Sequence, residues 1–281
     1  MIAIDDKEIL TFIKTLKECS SYDLTDYSLS SLKRRITKIL MVNNIGIETL
    51  NNKITEDKAF AEIIFKKITV CITDFFRDPE MWINLRHEIL SHYTDTNGLR
   101  IWHVGCSTGQ EVYSMMIMLN EINFLHKSEI YATDINQDAL DQATAGKYPY
   151  MYNTVYLDNF DRVINESAEN NSTRKNIPYT KYFTVDPDND IIQMKSFLAN
   201  KPVYKKIDLV KVENPFKVKF DLIFCRNVTI YFNQELQNRV LNLFYRDLKD
   251  SGSIVLGIHE KLIDLPGFEF DKKLKGYHII I

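Results

Sequence analysis

No stretch of this chain stays apolar for the roughly 20 residues that a membrane-spanning helix needs. The opening residues MIAIDDKEIL have neither the basic start nor the long apolar core of a secretory leader. The expectation is a cytoplasmic protein without direct membrane insertion. Cysteine is sparse, and Cys19, Cys71, Cys106 and Cys225 include no Cys-x-x-Cys pair. That pattern indicates neither a zinc knuckle nor a thioredoxin-type motif, and in a reducing compartment it predicts free thiols. Histidines are scattered, with His87 and His92 wrongly spaced for two ligands on one helical face, so no metal site is expected. A basic excess is missing as well. The net charge is -3 and no stripe of aromatic and basic residues accompanies it, which argues against nucleic acid as a partner. What remains is 281 residues, 45% hydrophobic and 26% charged. That is enough for one large domain, or for a main domain with a small companion.

The chain is organised around Leu99–Leu119, LRIWHVGCSTGQEVYSMMIML. A short apolar run (Leu99, Ile101, Trp102, Val104) meets a turn at Gly105–Gly109, and Val112, Met115, Met116 and Leu119 then follow helical spacing. This reads as strand, glycine loop, helix. Gly105 is expected to permit a sharp turn, and Gly109 to let a ligand approach the free N–H groups at the helix start.

Residues 1–75 read as a helical N-terminal domain with a linker helix. Ile9, Leu10, Ile13 and Leu16 form one stripe, and Leu29, Leu32, Ile36, Ile39 and Leu40 a second, which Ser28 or Ser30 would cap. Lys33, Arg34, Arg35 and Lys38 fall on the polar side of that second helix, either as a solvated face or as a docking face for an acidic partner. Residues 76–281 read as alternating strands and helices: Ile130–Thr133 ending at Asp134, a helix stopped by Gly146, an apolar strand Phe220–Cys225, and a helix from Asn233 to Leu248. Such alternation predicts an α/β fold with a mainly parallel sheet. Within it, Tyr182–Val185, Ile191–Lys195 and Val203–Ile207 suggest a small antiparallel β insertion at about residues 178–207, whose edge would accept a peptide strand.

Asp134 closes its strand roughly 25 residues beyond Gly109, where nucleotide-binding sheets place an acid on a ribose hydroxyl. A helix N-cap is the competing role. Loop and acid together suit either a dinucleotide or S-adenosylmethionine. The Gly-x-Gly-x-x-Gly pattern of the former is absent, and Glu111 would repel a pyrophosphate but hold an ammonium group. Glu111 would equally serve as a favourable charge at a helix N-terminus.

Four ordered segments then resemble the CheR-type chemotaxis receptor methyltransferases: ITDFFRD (72–78), IWHVGCSTGQEVYS (101–114), ATDINQDALDQATAGKY (132–148) and FDLIFCRNVTIYF (220–232). LGIHE (256–260) and the N-terminal YDLTDYSLSSLKRRITKIL fit the same pattern, so the resemblance covers nearly the whole chain. It implies a Rossmann-like sheet that binds S-adenosylmethionine. It also implies protein-glutamate O-methyltransferase activity with S-adenosylhomocysteine as product, and the cytoplasmic domain of chemotaxis receptors as partner. A monomer is the default expectation. By the same resemblance the cofactor meets Cys71, Thr73, Arg77, Glu111, Asp134, the pair Asp208 and Leu209, and the pair Cys225 and Arg226, while Arg77 and Tyr231 form the catalytic pair. Asp208 stands where Asn is usual, Cys71 where some members have Asn, and His103-Val104 where smaller residues follow the Trp.

The residues suit this chemistry. A glutamate carboxylate is already ionised at neutral pH, so its methylation needs alignment and partial desolvation rather than a general base. Arg77 can orient a carboxylate through a bidentate contact, and Tyr231 can donate one hydrogen bond. The competing roles are a salt bridge from Arg77 to Asp74 or Asp78, and a core-edge position for Tyr231. The alternative function is a module that senses S-adenosylmethionine within a signalling assembly without turnover.

Overall fold

The first helix begins where two acids satisfy each other's backbone. Asp5 accepts from the Glu8 N–H at 2.8 Å, and Glu8 accepts from the Asp5 N–H at 2.7 Å, a capping box that opens α1 (Asp6–Cys19). The computed structural model describes residues 4–69, 72–86, 93, 98–151, 155–165, 176–260, 269–271 and 278–280. In chain order the further helices are α2 (Leu29–Asn43), α3 (Ile47–Glu56), α4 (Lys58–Ile68), α5 (Pro79–Asn84), α6 (Gln110–Glu121), α7 (Gln137–Ala145), α8 (Val155–Phe160), α9 (Ser196–Ala199) and α10 (Gln234–Asp247). The strands are β1 (Arg100–Val104), β2 (Glu129–Asp134), β3 (Lys147–Tyr148), β4 (Phe183–Asp186), β5 (Ile191–Met194), β6 (Val203–Lys206), β7 (Phe220–Cys225), β8 (Leu248–Leu256), β9 (Glu269–Asp271) and β10 (His278–Ile280).

The chain divides into two units, the first made of residues 1–70, 209–212 and 228–243, the second of the remainder. In the first, α1 buries Ile9, Phe12, Ile13 and Leu16, and α2 buries Leu32, Ile36, Ile39 and Leu40. Both stripes follow the helical period, but Leu10 and Leu29, expected within them, are exposed, and Phe12 joins the buried face of α1. Ser28 is the N-cap of α2, but its side chain makes no capping bond. α3, which lacks a long apolar run, still buries Ile47, Leu50 and Ile54. Of the four basic residues placed on the polar side of α2, Arg35 departs from that reading. It is half-buried, donates to the Ile68 carbonyl at 2.9 Å and lies 4.6 Å over the Tyr231 ring.

The second unit holds a seven-stranded sheet of order β6-β2-β1-β7-β8-β10-β9 and a small antiparallel sheet β3-β5-β4. Pairs among β6, β2, β1, β7 and β8 are parallel, and β10 is antiparallel to both its neighbours. All six residues of β7 are buried, as a central parallel strand covered on both faces requires. Gly146 takes φ 57° and stops α7 as expected. The insertion differs from the expected one. Its third strand is β3, and the residues placed there as Val203–Ile207 form β6, which pairs in parallel with β2 on the main sheet. A short strand soon after a hairpin reads as its continuation. Here the hairpin itself lies within the crossover that brings the chain back beside β2.

Candidate active site

The chain leaves β1 on one side for β2 and β6, and continues on the other side with β7 and β8. The order therefore reverses between β1 and β7, and the crevice beyond the carboxyl ends of such strands is where α/β sheets hold ligands. The loop after β1 turns through positive φ at Gly105 (68°), Ser107 (52°) and Gly109 (90°). It is tied to the end of β2, with Cys106 N–H donating to the Thr133 carbonyl at 2.9 Å and Ser107 N–H to Asp134 Oδ2 at 2.7 Å. Gly105 makes the sharp turn its position predicts. Gly109 also answers to packing. A Cβ there would stand 2.7 Å from Ala143 Cβ, so glycine permits both the left-handed backbone and close contact with α7.

Asp134 is not the cap of the following helix. Asn136 is the N-cap of α7, its side chain accepting from the Asp138 N–H at 3.0 Å. Asp134 instead receives the Ser107 N–H on Oδ2 and the Asn136 N–H on Oδ1 at 2.9 Å, with the Ile135 N–H also bonded to the carboxylate. Burial pushes its carboxyl above the usual range, against the pull of these N–H groups. Each oxygen keeps acceptor capacity, and the neighbouring Ser107 Oγ is buried without a partner among the described residues. A ligand bearing adjacent hydroxyls would complete both.

Across the reversal point, Arg226 follows β7 directly and its side chain is 2% exposed. Its Nη1 lies 3.0 Å from Glu111 Oε2, and its Nη2 lies 2.6 Å from Asp78 Oδ2 and donates to the Arg77 carbonyl at 3.2 Å. Glu111, in the first turn of α6, is also bonded through Oε1 to His103 Nδ1 at 3.0 Å. Burial works to raise the Glu111 carboxyl. The His103 hydrogen bond and the Arg226 charge outweigh burial and hold it below the ordinary range. His103 itself is fully buried on β1 and stacked on Phe224 of β7.

The segment carrying Thr73 and Arg77 is wedged in by Phe75 and Phe76, both buried. Phe76 donates its N–H to Ser114 Oγ at 2.8 Å, and Phe76 (φ 50°) and Asp78 (φ 60°) are both left-handed. Such backbone persists only where its surroundings over-determine it, and it recurs at functional sites. Arg77 sits between the two. Neither flanking acid pairs with it: Asp74 accepts from the Tyr156 hydroxyl at 2.5 Å, and Asp78 holds Arg226. Among the described residues its half-buried guanidinium has no hydrogen-bond or ion-pair partner.

The remaining expected residues are spread more widely. Thr73 is half-buried, and Cys71 lies outside the described residues. Asp208 is half-buried beyond the end of β6, next to Ile207, whose N–H donates to the Asp134 carbonyl at 3.0 Å. Cys225 ends β7, and burial drives its thiol well above the usual range. Leu209 and Tyr231 belong to the first unit. There Tyr231 accepts the Ser28 N–H on its carbonyl at 2.9 Å and carries Arg35 on its ring. Ser107 joins this picture without a signal in the sequence, and Asp78, an expected partner of Arg77, pairs with Arg226 instead.

The residues present fit S-adenosylmethionine. A buried carboxylate and an orphaned hydroxyl suit hydroxyl groups of a ligand, and a glutamate held below the ordinary range suits an ammonium group. Residues 72–273 match the sequence profile of the family described as CheR methyltransferase, SAM binding domain. The chain is 33% identical to Cher3 of Pseudomonas putida over 258 residues, covering 92% of this chain and 89% of that protein. It is 31% identical over 281 residues to the chemotaxis protein methyltransferase of Borreliella burgdorferi, covering 93% of this chain and 90% of that one. For the protein of the same name from Listeria monocytogenes the identity is 25% over 267 residues, with 94% of each chain covered.

Proposed function

The chain belongs to the CheR methyltransferase family, and from that premise we propose that it transfers the methyl group of S-adenosylmethionine to glutamate side chains on the cytoplasmic part of chemotaxis receptors. The products are glutamate methyl esters and S-adenosylhomocysteine. The relatives named as chemotaxis protein methyltransferases support the receptor as substrate.

The observation that carries the glutamate reading is the guanidinium of Arg77, which has no partner among the described residues. A cation held on a pinned, strained segment, with both neighbouring acids engaged elsewhere, is suited to a carboxylate brought from outside. S-adenosylmethionine, when bound, supplies an electrophilic sulfonium methyl. Asp134 accepts from ribose hydroxyls, and Glu111 holds the ammonium end. Arg77 orients the acceptor carboxylate, and the family resemblance gives Tyr231 the part of donating one hydrogen bond to it. No proton needs to be removed, so the chain contributes alignment and desolvation. Arg77 must steer rather than grip, since tight binding of the ground-state carboxylate would slow transfer.

Arg77→Ala tests this reading. Methyl transfer to a receptor fragment should fall about 100-fold, the scale of losing one aimed donor at the reacting group, with a circular dichroism spectrum like that of the unaltered chain. Undiminished transfer would overturn the role of Arg77. Cofactor binding without transfer to any receptor fragment, by the unaltered chain, would favour the sensing module instead.

A further inference from the structure

His103 is the member of the buried network that the family resemblance leaves without a role. Its ring is 0% exposed, and lies against Phe224 with centroids 4.8 Å apart and planes 24° from parallel. Its Nδ1 is 3.0 Å from Glu111 Oε1. Glu111 is held ionised by its surroundings and can only accept, so Nδ1 carries the hydrogen and donates. Nε2 is buried with no partner among the described residues. Among the described residues the carboxylate is thus the ring's one polar partner.

We propose that His103 is a positioning residue for S-adenosylmethionine, its Nδ1–H fixing the rotamer in which the Glu111 carboxylate meets the ammonium group of the ligand. This rests on the reading that Glu111 meets that group. The geometry has two anchors. Arg226 Nη1 takes Oε2 from the end of β7, and His103 takes Oε1 from within β1. The two donors come from the two strands that flank the reversal point, so together they set the carboxylate plane. With only Arg226 left, the terminal torsion of Glu111 has a broad, shallow preference and the second oxygen can turn away. The remaining acceptor directions of a carboxylate so held are fixed in space before the ligand arrives.

A positioning role of this kind acts on one end of the ligand only. Calorimetric titration of the full chain with S-adenosylhomocysteine, and with 5′-methylthioadenosine, which has the same nucleoside and thioether but no amino-acid end, separates it from a role in folding. Glu111→Gln should remove most of the preference for S-adenosylhomocysteine. His103→Phe, which keeps a stacked ring without the donor, should weaken S-adenosylhomocysteine about tenfold and change methylthioadenosine less than about twofold, the cost of one hydrogen bond to a charged group. His103→Asn, whose amide nitrogen can reach the Nδ1 position, should keep the preference of the unaltered chain. It also serves as the test if the Phe variant does not fold. Equal weakening of both ligands by either His103 variant, or no weakening of S-adenosylhomocysteine by His103→Phe, would overturn the proposal while Glu111 keeps its role. An undiminished preference in Glu111→Gln would overturn the ammonium reading and this proposal with it.

Discussion

Arg226→Met removes the cation that two carboxylates share and keeps most of the side chain's volume. The Arg226 side chain is 2% exposed, Glu111 14% and Asp78 35%. Water screens Asp78 substantially, so the main loss is the uncompensated charge of Glu111. Removing one partner of a buried pair costs about 3–5 kcal/mol, because the other charge stays buried alone. For a chain of this size that is a fall in melting temperature on the order of 10 °C. The loss depends on pH. Without Arg226 only the His103 hydrogen bond opposes burial, so the Glu111 carboxyl should rise and the deficit should shrink as pH falls from 7 towards about 5. Thermal melts of both proteins at the two pH values, followed by circular dichroism, measure this. A deficit below about 1 kcal/mol, or one equal at both pH values, would refute the claim that Arg226 neutralises a buried Glu111.

In the unaltered protein the Glu111 carboxyl is held below its unfolded value. Its contribution to stability is therefore complete above the ordinary glutamate range and is lost as pH falls through the lowered value. Glu111→Gln should flatten that acid limb of the melting profile. Gly109→Ala should destabilise by about 1–3 kcal/mol, since φ is 90° and the new Cβ would stand 2.7 Å from Ala143 Cβ. Adding Ala143→Gly should return the part due to the clash, which urea titration of the single and double variants would show. Tyr231→Phe should lower kcat about tenfold, the value of one hydrogen bond to a charged group, with S-adenosylhomocysteine affinity unchanged by calorimetry.

The parallel sheet and its glycine loop were legible because β1, β2 and β7 are apolar runs followed by turn residues and helical spacing. The fate of Val203–Lys206 was not. Its alternating, lysine-bearing pattern suits any edge strand, and pairing partners are set by the crossover rather than by the residues themselves. In the site, Glu111 and Asp134 could be picked out by their places after the glycine loop and at a strand end, although each place also offers an acid a local use at a helix N-terminus. Arg226, named through the resemblance, proves to anchor Glu111 and Asp78 at once, a link over long sequence separations that no local pattern encodes. Asn136 took the capping role open to Asp134 because it stands directly before the first turn of α7. His103 could be noticed as a polar residue inside a buried strand. Which atom it would meet depended on the first turn of α6 folding back over β1.

Transfer of labelled methyl from S-adenosylmethionine to a receptor cytoplasmic fragment, followed by mild base, tests the central chemistry most directly. A glutamate methyl ester gives up its label as methanol under those conditions, and release of the transferred label is the expected result. Label that stays on the fragment through base treatment, or no transfer by a chain that calorimetry shows to bind the cofactor, would contradict carboxylate methylation.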